Sequence, residues 1–494
     1  MMNGKGKSDR PIVPTKRSNK TATAVAEDVE GRGLTKGNTD EQNADRAQNR
    51  IVAAPSALDR VRERTRRDKD AKFTALLHHV TVERLGDAYR RLRRDAAPGV
   101  DGVTWEQYGM HLEENLLALH ARLHRGAYRA KPSRRTYIPK ADGRQRPLGI
   151  ATVEDKIVQR AVVEVMNAIY EEDFVGFSYG FRPKRSQHHA LDALAAAIKT
   201  KRVNWVLDAD IRGFFDAIDH GWLVKFVKHR IGDRRVVRLI QKWLSAGVME
   251  RGRWAATEVG SPQGATVSPL LANIYLHYVL DLWVHQWRRR HARGDLVIVR
   301  YADDLVVGFE HEGDGRRFLE DLRGRLRKFA LELHDTKTRL IEFGRYANAN
   351  RQRRGERGAA ETFSFLGFIH ICGRSRRGRF LLTRHTDPKR MRATLKDINV
   401  ILKRRRHDPV PEQGRWLGSV VRGYFAYFAV PTNSIVISRF RSEIIRHWRR
   451  HLCQRSQRHR LNWRRMTRLA DRWLPPALIQ HPWPEDRFHA RHPR

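Results

Sequence analysis

Apolar spacing divides the chain into a sparse N-terminal arm and a long structured region. Residues 1–70 carry few large apolar side chains, which predicts a disordered basic arm with a short helix at 60–70. Compact structure is expected to begin near Phe73. From there, apolar residues recur at helical spacing in seven segments: 81–94, 105–125, 153–171, 270–287, 314–331, 387–404 and 412–428.

Shorter apolar runs predict strands. Residues 137–150 carry two such runs around the turn Ala141-Asp142-Gly143 and indicate a β-hairpin with a basic tip. Residues 204–211 predict a buried strand that turns into a helix, and 296–309 predict two strands joined by a tight turn. Residues 345–360 are rich in Arg and Gly and predict an exposed loop.

Charge narrows the functional class. The 494 residues have a net charge of +42, far more than solubility requires, so a polyanion such as nucleic acid is the expected partner and an anionic membrane surface the alternative. No apolar run of about 18 residues exists, which argues against a membrane span. The two cysteines, Cys372 and Cys453, exclude a disulfide scaffold, and a reducing cytoplasm is the expected compartment.

Three acids lie in or at the ends of the apolar strands: Asp210, Asp303 and Asp304. Buried carboxylates are costly unless a cation pairs with them. Oxygen ligands in this number suit Mg²⁺, and two ions about 3.5–4 Å apart can promote in-line phosphoryl transfer. The competing interpretation is that Asp303 and Asp304 are ordinary turn residues.

The order of several segments decides between these interpretations. Read together, they resemble the reverse transcriptase–maturases encoded by bacterial group II introns. The segments that carry the resemblance are GVDGVT (99–104), YIPKADGRQRPLGI (137–150), FSYGFRPKRSQHHAL (177–191), DADIRGFFDAIDH (208–220), SPQGATVSPLLANIYLH (261–277), VRYADDLVV (299–307), FLGF (365–368) and RGYFAYF (422–428).

This resemblance implies an α+β right-hand polymerase. Fingers and a palm with an antiparallel βαββ core are expected over 71–345, and a helical thumb that doubles as the maturase domain over 361–440. Residues 441–494 are expected to form a basic C-terminal extension. An HNH endonuclease is not expected, because a single cysteine after 373 cannot build its zinc frame.

The resemblance also implies roles for single residues. Asp210, Asp303 and Asp304 would hold two Mg²⁺ ions, and Lys337 would assist the leaving pyrophosphate. The remaining positions would contact the incoming nucleotide: Lys140 and Arg146 its triphosphate, Phe215 its sugar as a steric gate, and Gln263 with Gly264 the templating base pair. The alternatives are a solvated basic turn, core packing of Phe215 and an ordinary surface lysine.

Two C-terminal groups are candidates for RNA contact. Arg422, Tyr424 and Tyr427 lie where the resemblance places the maturase helix, although an amphipathic core helix explains the tyrosines equally well. Between residues 441 and 468, ten arginines face a single acid, Glu443. The arginines proposed there for backbone contact with RNA or DNA are Arg449, Arg450, Arg464 and Arg465.

The expected function is RNA-directed DNA synthesis on an RNA template from a DNA primer with dNTPs. The same protein would bind its group II intron RNA to assist splicing and mobility into a DNA target. Two alternatives stay open: an RNA-binding maturase without polymerase activity, and a reverse transcriptase of a retron or defence system. The oligomeric state is not predicted.

Overall fold

The computed structural model describes residues 57–139, 145–250, 252–257, 259–260, 264–456 and 461–491. Most of the predicted basic arm, residues 1–56, lies outside the described residues. Among the described residues, no helix combines the length and apolar character needed to cross a bilayer.

Eleven strands are described. In chain order they are β1 (Ser133–Pro139), β2 (Gln145–Ile150), β3 (Trp205–Asp210), β4 (Val248–Glu250), β5 (Arg253–Ala255), β6 (Leu296–Tyr301), β7 (Asp304–Phe309), β8 (Arg339–Glu342), β9 (Phe363–Phe365), β10 (Phe368–Arg374) and β11 (Phe380–Thr386).

Eighteen α-helices accompany them. In chain order they are α1 (Ala57–Arg67), α2 (Val82–Arg90), α3 (Trp105–Gly109), α4 (Leu112–His124), α5 (Val153–Asp173), α6 (Gln187–Thr200), α7 (Phe214–Ala217), α8 (His220–Arg230), α9 (Arg234–Ser245), α10 (Ser268–Leu276), α11 (Leu282–His291), α12 (Glu312–Arg327), α13 (Ala347–Arg353), α14 (Pro388–Arg404), α15 (Val410–Phe428), α16 (Ser434–Cys453), α17 (Trp463–Trp473) and α18 (Pro484–Arg491). A 3₁₀ turn spans Leu77–His79, and a π-helical turn, His277–Asp281, joins α10 to α11.

The central sheet has the strand order β6-β7-β3-β8, and every neighbouring pair is antiparallel. Alternate residues of its strands enter two different apolar cores: Leu207 and Val307 belong to one, and Val206 and Val306 to the other. Both faces of the sheet are therefore covered, which explains why β6 and β7 read as continuous apolar runs. The predicted strands at 204–211 and 296–309 are confirmed.

The N-terminal sheet has the order β2-β1-β4-β5. Its strands β1 and β2 form the predicted antiparallel hairpin, in which Ile138 lies opposite Arg146. The hairpin tip, residues 140–144, lies outside the described residues. Strand β4 joins β1 in parallel, so this sheet is mixed, whereas the central sheet is purely antiparallel.

Helix α5 is the longest helix described before the central sheet, and it packs on the short helix α1. Leu58, Val61 and Thr65 form the buried stripe of α1. This helix overlaps the one predicted at 60–70. The predicted helix over 105–125 is instead two helices, α3 and α4, since the backbone of His111 leaves the helical region.

The C-terminal region consists of the sheet β11-β10-β9 and the helices α14 to α17. Its core contains Leu417, Val421, Phe425 and Trp448, each almost completely buried. Helix α16 continues through residue 440, so the predicted boundary between thumb and extension falls inside a helix.

Residues 345–360 were predicted as an exposed loop, and this prediction is wrong for α13. Within that helix, the Asn350 side chain donates to Glu342 over 2.8 Å, and Arg354 at its C-cap pairs with the same carboxylate. Polar anchors of this kind stabilise a helix without leaving an apolar pattern in the sequence.

Candidate active site

The central sheet brings the three predicted acids together. Asp210 is the last residue of β3 and Asp304 the first residue of β7, and the two are directly opposed across the strand pair. Asp303 lies in the turn before β7, next to Ala302, whose φ of 57° makes the turn sharp. Opposed residues of an antiparallel pair share one face, so the Asp210 and Asp304 carboxylates face the same side.

Neighbouring carboxylates raise the proton affinity of Asp304. Desolvation at the strand end, followed by the charges of Asp303, Asp210 and Asp208, raises its pKa to about 7, although the residue keeps an exposed surface. The pKa of Asp303 is also raised, chiefly by burial. A cation placed among the strand ends would favour the ionised form of Asp303 and Asp304.

Lys337 supplies one such cation. It precedes β8, and its ammonium lies 2.6 Å from a carboxylate oxygen of Asp210. The backbone holds this region in place, because the amide of His334 donates to the Asp210 carbonyl over 2.7 Å. Lys337 is more than half exposed and lines the adjacent cavity, so its ammonium is paired with Asp210 and also accessible to a charged ligand there.

The donor chemistry suits a divalent ion. Asp210, Asp303 and Asp304 offer carboxylate oxygens at one end of a sheet, the ligand type that Mg²⁺ prefers. Across the described ranges, no three His, Cys, Asp or Glu side chains stand close enough to enclose a metal. In this arrangement the Asp210 carboxylate is engaged by Lys337. The acids therefore fit Mg²⁺ in donor type, while their side chains are not gathered closely enough here to enclose the ion.

A cavity of about 930 Å³ opens beside Asp210 and Asp303, whereas Asp304 does not line it. Six of the predicted site residues, from both the N-terminal and the central sheet regions, line it: Arg146, Asp210, Phe215, Gly264, Asp303 and Lys337. The Phe215 ring is half-buried: it packs edge-on to Phe214 and also lines the cavity. Arg146 is exposed on β2. Its positive charge partly offsets the rise in the pKa of Asp303 that burial causes.

Gly264 is needed for backbone packing. Its φ is +107°, and a Cβ atom there would lie 2.9 Å from the carbonyl oxygen of Gly149. The close approach is therefore between the segment after β5 and strand β2. Two other predicted contacts, Lys140 and Gln263, lie outside the described residues.

Two further residues of the site were not singled out from the sequence. Phe181 lines the cavity and is half exposed, and its backbone φ is 57°. Its ring meets the Phe215 ring edge-on, with 6.4 Å between the ring centroids. Asp208 points to the same face as Asp210, and burial raises its pKa to about 6. Phe181 lies within the segment FSYGFRP. Asp208 lies two residues before Asp210 in the same strand, so the two-residue period of a strand could have predicted that it shares a face with Asp210.

The structure separates the three predicted RNA-binding residues of α15. Tyr424 is buried and stacks on Phe440 with ring centroids 3.5 Å apart. The Tyr427 hydroxyl donates to the Leu366 carbonyl over 2.8 Å, and its ring stacks on Phe368. Arg422 is exposed. Burial thus favours the core interpretation for Tyr424, while Arg422 stays available to a ligand.

The arginines of α16 and α17 are largely accessible. Arg450, Arg464 and Arg465 are exposed. The Arg449 guanidinium lies 4.6 Å from the ring centre of Trp463 and donates to the Leu461 carbonyl, so it joins the two helices. Trp463 is half exposed beside these arginines. Such a surface offers both cations and a stacking ring to a polyanion.

The sequence of this chain is similar to those of known proteins. The sequence profile of the family "Reverse transcriptase (RNA-dependent DNA polymerase)" matches residues 138–370. Protein YkfC of Escherichia coli is 35% identical over 316 residues, which cover 57% of this chain and 77% of that protein.

Two relatives are described as intron proteins. The group II intron-encoded protein LtrA of Lactococcus lactis is 36% identical over 238 residues, 48% of this chain and 39% of LtrA. A 91 kDa protein in the cob intron of Schizosaccharomyces pombe is 34% identical over 223 residues, 44% of this chain and 27% of that protein. The match thus spans about two fifths of LtrA.

The antiparallel sheet with its carboxylates and the profile match define a reverse transcriptase domain. Within that class, the chain belongs to the reverse transcriptase–maturases encoded by group II introns.

Proposed function

We propose that the chain is an RNA-directed DNA polymerase that also binds the RNA of its group II intron. One observation carries the polymerase part of this proposal. The acids Asp210 and Asp303 share a single cavity with Arg146 and Phe215, which are suited to a triphosphate and a sugar. A decayed site retained only for RNA binding would have no need to keep carboxylates of like charge together at one end of a sheet.

The chain's own residues would position the substrates. Asp210, Asp303 and Asp304 would hold Mg²⁺, which when bound supplies charge stabilisation for attack of a primer 3′-hydroxyl on the α-phosphate of a dNTP. Arg146 on β2 would hold the triphosphate through its planar guanidinium. Lys337, already paired with Asp210, would neutralise charge on the departing pyrophosphate.

The subdomain layout follows as part of the proposal. The N-terminal sheet with its helices would form the fingers, the central sheet the palm, and β9–β11 with α14–α16 the thumb. Because α16 continues to Cys453, we place the start of the basic extension after that residue. The cavity lies where the N-terminal sheet meets the central sheet, as a template–primer channel requires.

The intron RNA would bind the exposed arginines of the C-terminal helices, with Arg422, Arg450, Arg464 and Arg465 contacting phosphates. The copied RNA and the DNA target are polyanions too, and the net charge of +42 suits both. Help with splicing and mobility would follow from this RNA binding.

Primer extension tests the polymerase proposal. The wild-type chain on a poly(rA)/oligo(dT) template should form Mg²⁺-dependent product, and Asp303→Ala should abolish it. The matched control is Asp397→Ala, which removes an exposed carboxylate outside the cavity and should leave the product unchanged. No product from the wild-type chain would refute the polymerase proposal and favour the inactive maturase.

A further inference from the structure

Behind the acidic turn lies a buried ion pair that the catalytic roles above do not use. Arg300, at the penultimate position of β6, and Asp281, the last residue of the π-helical turn, are both completely buried. Their side chains pair through two contacts, of 2.7 and 2.6 Å. Such pairs rarely add net stability over apolar residues of similar volume, so their presence calls for another explanation.

The Arg300 guanidinium uses all five of its N–H donors. Besides the two bonds to Asp281, it donates to the Asn273 side chain over 3.1 Å, to the Ala302 carbonyl over 2.9 Å and to the Ser178 hydroxyl over 2.7 Å. A lysine has three donors on one atom and cannot reproduce this planar set.

Arg300 thereby contacts the turn at Ala302 directly and the segment around Ser178 and Gly180 directly or through Asn273. Ala302 is the residue with positive φ that immediately precedes Asp303. The Asn273 amide donates to the Gly180 carbonyl over 2.7 Å, and Gly180 lies so close to the turn that a Cβ would sit 2.2 Å from the Ala302 nitrogen. Phe181, the next residue, faces Phe215 in the cavity.

We infer that Arg300 and Asp281 are positioning residues. They fix the Ala302 turn, and with it the carboxylates of Asp303 and Asp304. They also fix the Gly180–Phe181 segment against the nucleotide cavity. The backbone supports this path, because Arg300 also exchanges main-chain hydrogen bonds with Phe177 and Tyr179. Arg300 thus joins β6, the turn and the 177–181 segment. This inference rests on the proposed polymerase function.

The test compares two buried ion pairs of the same chemistry. Arg230 and Asp173 form the matched control, since they are nearly as buried but hold the chain at Lys69 and Ala71, away from the cavity. The variants R300K and R300M/D281L are measured beside R230K and R230M/D173L in the full-length chain. The readouts are the melting temperature, the dissociation constant for template–primer, and kcat and KM for dTTP on poly(rA)/oligo(dT).

A displacement of the carboxylates by about 1 Å predicts a loss of about a hundredfold in kcat for both Arg300 variants. The template–primer dissociation constant should stay within about twofold of wild type, because that contact is not made by the turn. The control variants should keep kcat within about threefold, whatever melting temperature they lose. A milder variant, N273S, should lower kcat about tenfold and remain folded, because it removes one of the five Arg300 bonds and the bond to Gly180 but leaves the ion pair intact.

Unchanged kcat in R300M/D281L would show that the Arg300 pair is merely structural. The same conclusion would follow if R300M/D281L and R230M/D173L lost equal amounts of kcat at equal losses of stability. If the doubly substituted chain does not fold, R300K and N273S decide in the same way: unchanged kcat in both overturns the inference. An inactive wild-type chain would refute the polymerase function first, and this inference with it.

Discussion

At the scale of single residues, the site depends on side chains that serve two neighbours at once. Phe215 packs against Phe214 on one side and faces the cavity and Phe181 on the other. Its ring is therefore held in a fixed position, as a steric selector must be.

Removing this ring should weaken sugar discrimination. Phe215→Ala opens space where a ribose 2′-hydroxyl would lie, and we expect the ratio of dTTP to UTP efficiency (kcat/KM) to fall at least about tenfold. Phe215→Tyr keeps the ring and should keep the ratio. Equal ratios in wild type and Phe215→Ala would contradict the gate role, and the measurement is single-nucleotide extension with each triphosphate.

Lys337 allows a second prediction at this scale. Lys337→Ala removes the ammonium beside Asp210 and should lower kcat about tenfold to a hundredfold, while Lys337→Arg keeps part of the activity. Lys328→Ala, an exposed lysine outside the cavity, is the control and should have no effect. Steady-state extension rates decide, and an unaffected Lys337→Ala would make this residue a surface lysine.

Some residues of the site can be predicted from the sequence, and others only from their burial in the fold. Asp210, Asp303 and Asp304 were found because acids inside apolar strands are conspicuous. Arg300 and Asp281 were not, because an arginine before a polar turn and an aspartate on a helix look solvated until their burial is known. Tyr424 shows the same limit, since burial depends on a helix face that spacing alone does not orient.

At the scale of elements, long periodic segments were predicted within a few residues: 153–171 is helix Val153–Asp173, and 412–428 is helix Val410–Phe428. Helix α13 was missed because ion pairs and amide bonds hold it. The parallel pairing of β1 with β4 could not be inferred from the sequence. Short strands that are far apart in the chain leave no local pattern that shows they pair.

Gly264 links two elements, and this link can be tested. Gly264→Ala should destabilise the chain by about 1–3 kcal/mol, because the backbone is left-handed and Gly149 blocks the new methyl group. Gly252→Ala is the control: its φ is also positive, at +80°, but nothing lies within 4 Å. Urea unfolding should show a larger loss for position 264, together with a lower extension rate. Equal losses would mean that strain alone, and not the contact with β2, matters.

The C-terminal sheet should unfold more readily in mild acid. Burial lowers the pKa of His370 to about 3, whereas an unfolded histidine titrates near 6.5. Below pH 6.5 the unfolded chain therefore binds a proton that the folded chain does not, so stability falls as the pH drops.

Between pH 7 and 5 this single group should cost about 2 kcal/mol of unfolding free energy. His370→Leu should remove the contribution of His370, about 2 kcal/mol, whereas His407→Leu, at an exposed position, should retain it. His188, whose pKa burial also lowers to about 3, keeps its own contribution in both variants. Urea titrations at both pH values provide the comparison. An identical pH dependence in wild type and His370→Leu would contradict the assignment.

At the scale of the whole molecule, charge dominates. With a net charge of +42, binding of RNA should release many counterions. We expect the affinity for intron RNA to fall by at least about a thousandfold between 50 and 200 mM salt. Composition alone predicted this property, because it needs no knowledge of the fold.

The location of the binding surface needs a variant. Replacing Arg450, Arg464, Arg465 and Arg468 by Gln should lower the slope of log affinity against log salt by about 3. The same replacement at four exposed arginines elsewhere, Arg238, Arg289, Arg316 and Arg323, is the control and should change it by less than about 1. Filter binding over a salt series measures both. Equal slopes in the two variants would place the RNA elsewhere.

The opposed pair Asp210 and Asp304 has a consequence for how this domain tolerates change in length. Because successive strand residues alternate between faces, one residue inserted into β3 or β7 would turn an acid away from the other two. Insertions and deletions should therefore be absent from these strands in functional variants.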